Sequence, residues 1–376
     1  MDLTFTDEQQ ALRDGLSRYL DRTYTFDRRQ ELLRSQQPWS ADAWKHFTEL
    51  GLTALPFDEE VGGIGGTIAD VVAVSEILGE YLCVEPYASC VVLGGRSLSA
   101  ASGSAPAGEL LERIIGGEGQ VAFAHEEGAG TASAAHVGMT AREGAGGLRL
   151  TGRKELVLGA AQASAIIVTA RLSGRAGDPS GLALLLVDAT APGVSLREYR
   201  TIDGRAAASV ELQDVPAELL VQDAVEVIEE IIANGIVALA AEAVGAMNVL
   251  LRQTVEYGAT RQQFGVPIGS FQVLAHRMAN MKMAYLNARA TLLYTTALAE
   301  AEAVSATDIA VLKAQIGRFG RVISESAIQL HGGIGTTDEL PVGHYVKRIL
   351  AIEAMFGDPD FHLRTIGAVA GVPAAT

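Results

Sequence analysis

The sequence predicts an α+β fold in which helices, then strands, then helices again follow one another along 376 residues. Three observations carry that expectation. Apolar residues at Ile228, Ile232, Ile236, Leu239, Ala243, Ala246 and Leu250 keep a three-four spacing that holds one face of an α-helix apolar. Between about Gln120 and Leu220 the texture changes to short apolar runs separated by Gly, Ser, Asp and Pro, the spacing of a small β domain. On both sides of that region the runs lengthen again into helical periodicity. The expected domains are an N-terminal helical domain (1–117), a middle β domain (118–222) and a C-terminal helical bundle domain (223–376).

The elements follow in order. Thr6 with Gln9 reads as a capping box that opens a helix on which Leu12, Leu16 and Leu20 share a face. Trp44, Phe47 and Leu50 share the face of another, and Val71 to Leu82 forms a further helical segment. The stretch from Pro56 to Gly66 lacks the Lys-Ser/Thr of a phosphate loop and reads as a connecting loop, whose glycines let backbone approach a neighbour or a ligand. Strands are expected at Val121–Ala124, Val137–Ala141, Leu148–Leu150, Ala165–Val168, Leu182–Val187 and Ala208–Leu212. A long helix then runs to Thr260, about 36 residues and about 54 Å at the usual rise. From Ile236 to Leu251 it is apolar on most sides, broken by Glu242 and Asn248, as in a helix buried among others. Helices at Gln272 to about Ala303, Thr307 to about Gln329 and Pro341 to about Phe356 complete the bundle.

Composition bounds the function. Hydrophobic residues make up 48% of the chain, which supports a well-buried core. A formal net charge of −16 argues against nucleic acid or anionic membrane as a partner, though not against an anionic cofactor met by a local arginine. The two cysteines, Cys83 and Cys90, fit neither a zinc site nor a disulfide framework, and a reducing cytoplasm is expected. The first ten residues lack the pattern of a signal peptide. The most apolar window, Gly235 to Leu251, contains Glu242 and is too short for membrane insertion.

Functional chemistry is sought first at the end of the long helix, where Tyr257-Gly258-Ala259-Thr260-Arg261-Gln262-Gln263-Phe264-Gly265 leads to Phe271-Gln272. Arg261 offers a forked cation suited to phosphate oxygens, Gln263 an amide and Phe264 a flat apolar surface. The plainer reading is a helix terminus whose arginine meets the negative end of the dipole. A second cluster, Gln329-Leu330-His331-Gly332-Gly333-Ile334-Gly335-Thr336-Thr337, has no preceding strand and so is no dinucleotide fingerprint. His331 reads as structural, since no His, Asp or Glu stands at metal-ligand spacing. Paired glycines at a helix end nevertheless suit close approach to a flat or phosphorylated group.

The helix-strand-helix order, a P-E-x-x-G-G-x-G-like stretch around Glu59–Gly65, R-x-x-F-G at Arg261–Gly265 and Q-x-x-G-G-x-G at Gln329–Gly335 together resemble the acyl-CoA dehydrogenase family over essentially the whole chain. The resemblance implies N-terminal helices, a middle β-barrel or sandwich and a C-terminal four-helix bundle. It implies α,β-desaturation of an acyl-CoA thioester with FAD as cofactor and an electron-transfer flavoprotein as acceptor. By position it carries FAD-binding roles to Arg261, Gln263, Phe264, Gln272, Gln329, Gly332 and Gly333, which hold diphosphate and adenosine while the isoalloxazine lies in a neighbouring subunit. More narrowly, Phe26-Asp27-Arg28-Arg29, His344-Tyr345-Val346-Lys347-Arg348 and Phe356-Gly357-Asp358 are similar to small subunits of the pimeloyl-CoA dehydrogenase and steroid side-chain type. That similarity implies a catalytic large subunit as partner in a heterotetramer.

The resemblance also shows what is missing. Family chemistry removes the thioester's α proton with a carboxylate while hydride passes from the β carbon to flavin N5. Phe356, 27 residues after Gln329, occupies the usual position of that carboxylate, and Gly235, 26 residues before Arg261, occupies the alternative one. Where the family has T-E-P-G-A-G-S and W-I-T-N-G against the flavin, this chain has His125-Glu126-Glu127-Gly128-Ala129-Gly130-Thr131 and Leu156-Val157-Leu158-Gly159-Ala160. The expected role is therefore an accessory subunit that completes the FAD site of a catalytic partner. One alternative is a homo-oligomeric dehydrogenase with a displaced base, for which Glu353, about one turn before Phe356, is best placed. Another is a non-catalytic flavin or acyl-CoA binding scaffold.

Overall fold

The computed structural model describes residues 4–35, 39–128, 132–144 and 146–371. They form two compact units, one built from described residues within 4–31, 72–83 and 237–371 and the other from those within 32–71 and 84–236. The helices of the first third are α1 (Asp7–Thr23), α2 (Phe26–Arg34), α3 (Ala41–Glu49), α4 (Ile68–Glu80), α5 (Arg96–Ser99) and α6 (Ala105–Ile115). The expected capping box opens α1: the Thr6 hydroxyl accepts from the Gln9 amide at 3.2 Å, and Gln9 Oε1 accepts from the Thr6 amide at 3.0 Å. Leu16, Leu20, Trp44 and Phe47 are all buried.

The glycine-rich loop packs closely on its own backbone. A Cβ on Gly63 would lie 2.0 Å from the Phe57 carbonyl oxygen, and one on Gly66 2.6 Å from that of Leu55. Tyr87–Gly95 forms a π-helix, a winding that apolar periodicity does not reveal. It closes on Gly94 and Gly95, where a Cβ would meet Val121 and Phe57 at 2.3 Å each.

The same unit contains β1 (Val121–Ala124), β2 (Thr140–Gly144), β3 (Gly147–Leu158), β4 (Ala165–Arg171), β5 (Leu182–Asp188), β6 (Val194–Arg200) and β7 (Ala206–Val221). The pairing path β4-β2-β3-β7-β5 returns to β4, so the sheet closes into a barrel, with β1 parallel to β4 and β6 beside β7. Strands β4 and β5 read as continuous apolar runs because both are buried along nearly their whole length. Of the expected run Val137–Ala141, only Thr140 and Ala141 lie in β2. Strand β6 is an addition to the expected set: Arg197, Glu198 and Arg200 break its alternation, and most of it is exposed.

In the other unit α7 (Val225–Thr260) contributes residues from Val237 onward, and its full length of 36 residues matches the expectation. A short hairpin follows, β8 (Gln262–Gln263) and β9 (Val266–Pro267), then α8 (Gln272–Glu300), α9 (Ala306–His331), α10 (Pro341–Ala354) and α11 (Pro359–Val369). Helices α4 and α7 cross with their backbones in contact. A Cβ on Gly79 would lie 1.9 Å from the Glu242 carbonyl oxygen, and one on Gly245 equally close, at 1.9 Å, to that of Glu76. Among the described residues no helix is long and apolar enough to cross a membrane.

Candidate functional site

The end of α7 is built around a tight hairpin. Gln262 pairs with Pro267 and Gln263 with Val266, which leaves Phe264 and Gly265 as a two-residue turn. Their φ values of +54° and +82° are those of a type I′ turn. Glycine adopts such a φ freely, whereas an aromatic residue held there costs on the order of 1 kcal/mol or more. The Phe264 ring is also 93% exposed, with Phe271 edge-on at 6.2 Å. The Ile268 amide donates to the Arg261 carbonyl at 2.8 Å and closes the loop. The Arg261 side chain is exposed and has no hydrogen-bond or ion-pair partner among the described residues.

A ring stack brings the second cluster to the same place. His331, the last residue of α9, stacks on Tyr257, one turn before Arg261, at 4.4 Å and 24°. Its Nδ1 donates to the Ala327 carbonyl at 2.9 Å, and burial lowers its basicity, which favours the neutral ring. The stack sets Gln329, Gly332 and Gly333 at the same end of the α7–α9 pair as Arg261. Gly332 has φ +64° and ψ −149°, a conformation reserved for glycine. A Cβ on Gly332 or Gly333 would meet nothing within 4 Å, so the pair opens outward, whereas Gly335 packs against His331. Gln263, Gln272 and Gln329 are exposed as well. A guanidinium, three amides, an open glycine pair and a flat ring form a donor set that fits a diphosphate joined to a planar base.

The positions expected to face a flavin ring are arranged differently. Lys154 is fully buried, its Nζ donating to the His125 carbonyl at 3.0 Å, Glu127 Oε1 at 2.7 Å and Thr169 Oγ1 at 3.0 Å. The Glu127 carboxylate also accepts from the Gly138 and Met139 amides at 2.7 and 2.9 Å. Burial pushes Lys154 down to about 8 against the pull of Glu127, and drives His125 down to about 3 with help from the Lys154 charge. Burial alone would raise Glu127, but Lys154 and the two amides hold it below the usual carboxylate range. His125 and Glu127 thus belong to an internal network; Ala129, Gly130 and Thr131 lie outside the described residues. Sequence reasoning missed Lys154, although it continues the inward alternation of Leu150 and Gly152 on β3. Leu156 sits at a register slip in β3 with φ +50°, its amide donating to the Tyr199 hydroxyl at 3.1 Å. Neither its side chain nor that of Leu158 offers a polar group.

No carboxylate stands at either base position. Phe356 is 8% exposed with φ +54°, and its carbonyl accepts from His362 Nε2 at 2.8 Å. Lys313 Nζ donates to the carbonyls of Glu353 and Gly357, at 2.7 Å each, and ties down the end of α10. At Gly235 the space for a side chain is taken: a Cβ there would lie 2.5 Å from Leu93 Cδ2. Glu353 is buried, and its Oε1 pairs with Arg321 of α9. Arg321 lies about two turns before Gln329, roughly 12 Å back along the helix from the Arg261 end.

Residues 6–117 match the family model for the acyl-CoA dehydrogenase N-terminal domain, 122–215 that for the middle domain and 225–371 that for the C-terminal domain. The chain is 28% identical to acyl-CoA dehydrogenase FadE27 of Mycobacterium tuberculosis, over 98% of each. It superposes on a chain of the ChsE4–ChsE5 complex of the same organism with TM-score 0.88 and 26% identity, over 100% of both. A chain from a variant of the Tcur3481–Tcur3483 steroid acyl-CoA dehydrogenase also gives TM-score 0.88 at 26% identity, over 97% of this chain and 98% of that one.

Proposed function

The chain belongs to the acyl-CoA dehydrogenase family, and on that premise we propose that it is the accessory subunit of a heteromeric, FAD-dependent enzyme, completing a partner's flavin site while lacking a base of its own. The observation that carries this reading is an asymmetry. The groups suited to a diphosphate and adenosine are present and turned outward, whereas both base positions are Phe356 and Gly235 and the flavin-facing positions are Leu156 and Leu158. Similarity to a chain of the ChsE4–ChsE5 complex supports a partner of a different sequence. An exposed apolar stripe on α8, with Met283, Leu286 and Tyr294 at helical spacing, supports a helix-to-helix subunit interface.

In this reading Arg261 holds the diphosphate as a forked donor, Gln263, Gln272 and Gln329 donate amide hydrogens, Phe264 offers its face to the adenosine, and Gly332 and Gly333 admit it closely. Bound FAD supplies the hydride acceptor for oxidation of the Cα–Cβ bond of an acyl-CoA thioester. The catalytic large subunit supplies the carboxylate, and an electron-transfer flavoprotein reoxidises the complex. The displaced-base alternative is disfavoured because Glu353 Oε1 pairs with Arg321, about two turns along α9 from the Arg261 end.

Arg261→Ala weakens FAD retention in the complex by about 1.5 to 3 kcal/mol, the scale of a charge-assisted hydrogen bond. Arg261→Lys recovers only part, because an ammonium cannot reproduce the fork. Flavin absorbance after gel filtration reads both, and unchanged flavin content in Arg261→Ala rejects the assignment. Light scattering tests the assembly: a 39.4 kDa species both alone and with the partner rules it out.

A further inference from the structure

Away from the Arg261 end, α9, α10 and the start of α11 wall a cavity of about 770 Å³. Phe319, Val322, Leu350, Ala354 and Pro359 give it apolar sides, and Arg318, Arg321, Glu325, Asp358 and Asp360 stand among its polar lining. Glu353 also lines it, with a side chain 7% exposed. One carboxylate oxygen, Oε1, meets Arg321, while the other, Oε2, is buried and has no hydrogen-bond partner among the described residues. Asp358 is occupied as the cap of α11, accepting from the Phe361 amide at 2.7 Å.

We propose that this cavity binds a terminal ammonium or guanidinium group carried on an apolar stem, with the cation at Glu353 Oε2 and the stem along the Phe319, Leu350 and Ala354 wall. A buried carboxylate oxygen calls for a donor, and a charged donor gives the strongest hydrogen bond. Four carboxylates, Glu325, Glu353, Asp358 and Asp360, line the cavity against Arg318 and Arg321, so an anion would meet a net negative lining. A neutral apolar guest would leave Oε2 unpaired, and among the described residues no cluster of three or more His, Cys, Asp or Glu provides a metal site. An alkyl cation satisfies floor and walls together. Its source is either a free amine or guanidine, or the lysine or arginine side chain of another protein chain.

Isothermal titration of the purified full-length chain tests this with agmatine and hexylamine, against hexanoate and hexanol. The two cations bind, hexanoate and hexanol do not, and Glu353→Gln weakens cation binding at least tenfold. Ala354→Phe fills the cavity from an exposed position without touching Glu353 or Arg321 and abolishes binding, which covers the case of a misfolded Glu353→Gln. Saturating agmatine that dissociates the chain from its copies or partner, read by light scattering, assigns the site to a partner's side chain; unchanged assembly assigns it to a free ligand. Absence of cation binding, equal binding of hexanoate, or binding unaffected by either variant overturns the proposal.

Discussion

On the proposed accessory role, the isolated chain saturated with FAD is expected to oxidise acyl-CoA about 10²- to 10⁴-fold more slowly than a complex with a catalytic subunit, the range that general-base assistance supplies. Removal of the α proton needs a carboxylate within hydrogen-bond reach of that carbon, and neither Phe356 nor Gly235 provides one. Gly235→Glu does not restore the rate, because Leu93 fills the space that a new side chain needs. Phe356→Glu is the better rescue, since its backbone is already held by His362 and by the Lys313 clamp on the neighbouring carbonyls. It is expected to give only weak activity, because the side chains of Leu156 and Leu158, at the positions expected to face the flavin, carry no donor. Dye reduction by the chain alone and with its partner reads all three. Fast turnover by the chain alone, abolished by Glu353→Gln, would instead make Glu353 the base.

Much of the fold and of the candidate site is legible in the residues. Helix α7 shows plainly because its three-four spacing is unbroken, and the barrel because β4 and β5 are nearly all apolar. Helix α11 and strand β6 are not, since one is short and follows a Phe-Gly-Asp-Pro turn, and the other carries charges on a mostly exposed edge. Arg261, Phe264 and the glycine pair are visible as motifs, but their convergence depends on Tyr257 stacking on His331, which no local pattern predicts. The hairpin does carry a local signal, since Phe-Gly between two short runs is a turn dipeptide with glycine at its second position. The α4–α7 crossing carries none. Gly79 and Gly245 act on each other's helix across a separation in sequence that periodicity cannot span.

The largest stability effect is expected at Glu242, which with Asn248 interrupts the apolar surface of α7. It is buried, and its carboxylate accepts from Arg348 of α10 in a fork, Nε to Oε1 at 2.9 Å and Nη2 to Oε2 at 2.6 Å. Glu242→Ala leaves the Arg348 guanidinium buried with its main countercharge gone, a loss of about 3 to 5 kcal/mol. Arg348→Ala should cost a similar amount by removing the forked donor of that buried carboxylate. The pair itself contributes much less than either single change, because each ion loses its hydration on burial. Glu242→Leu combined with Arg348→Met should therefore recover most of the loss, and exceed wild type if packing is good. Urea denaturation of the wild type, the two alanine variants and the double variant compares them, with the transition midpoint read at constant slope. If the double variant is as unstable as the sum of the singles, the fork is holding α7 and α10 in a geometry that apolar side chains cannot reproduce, and the charge-stranding account fails.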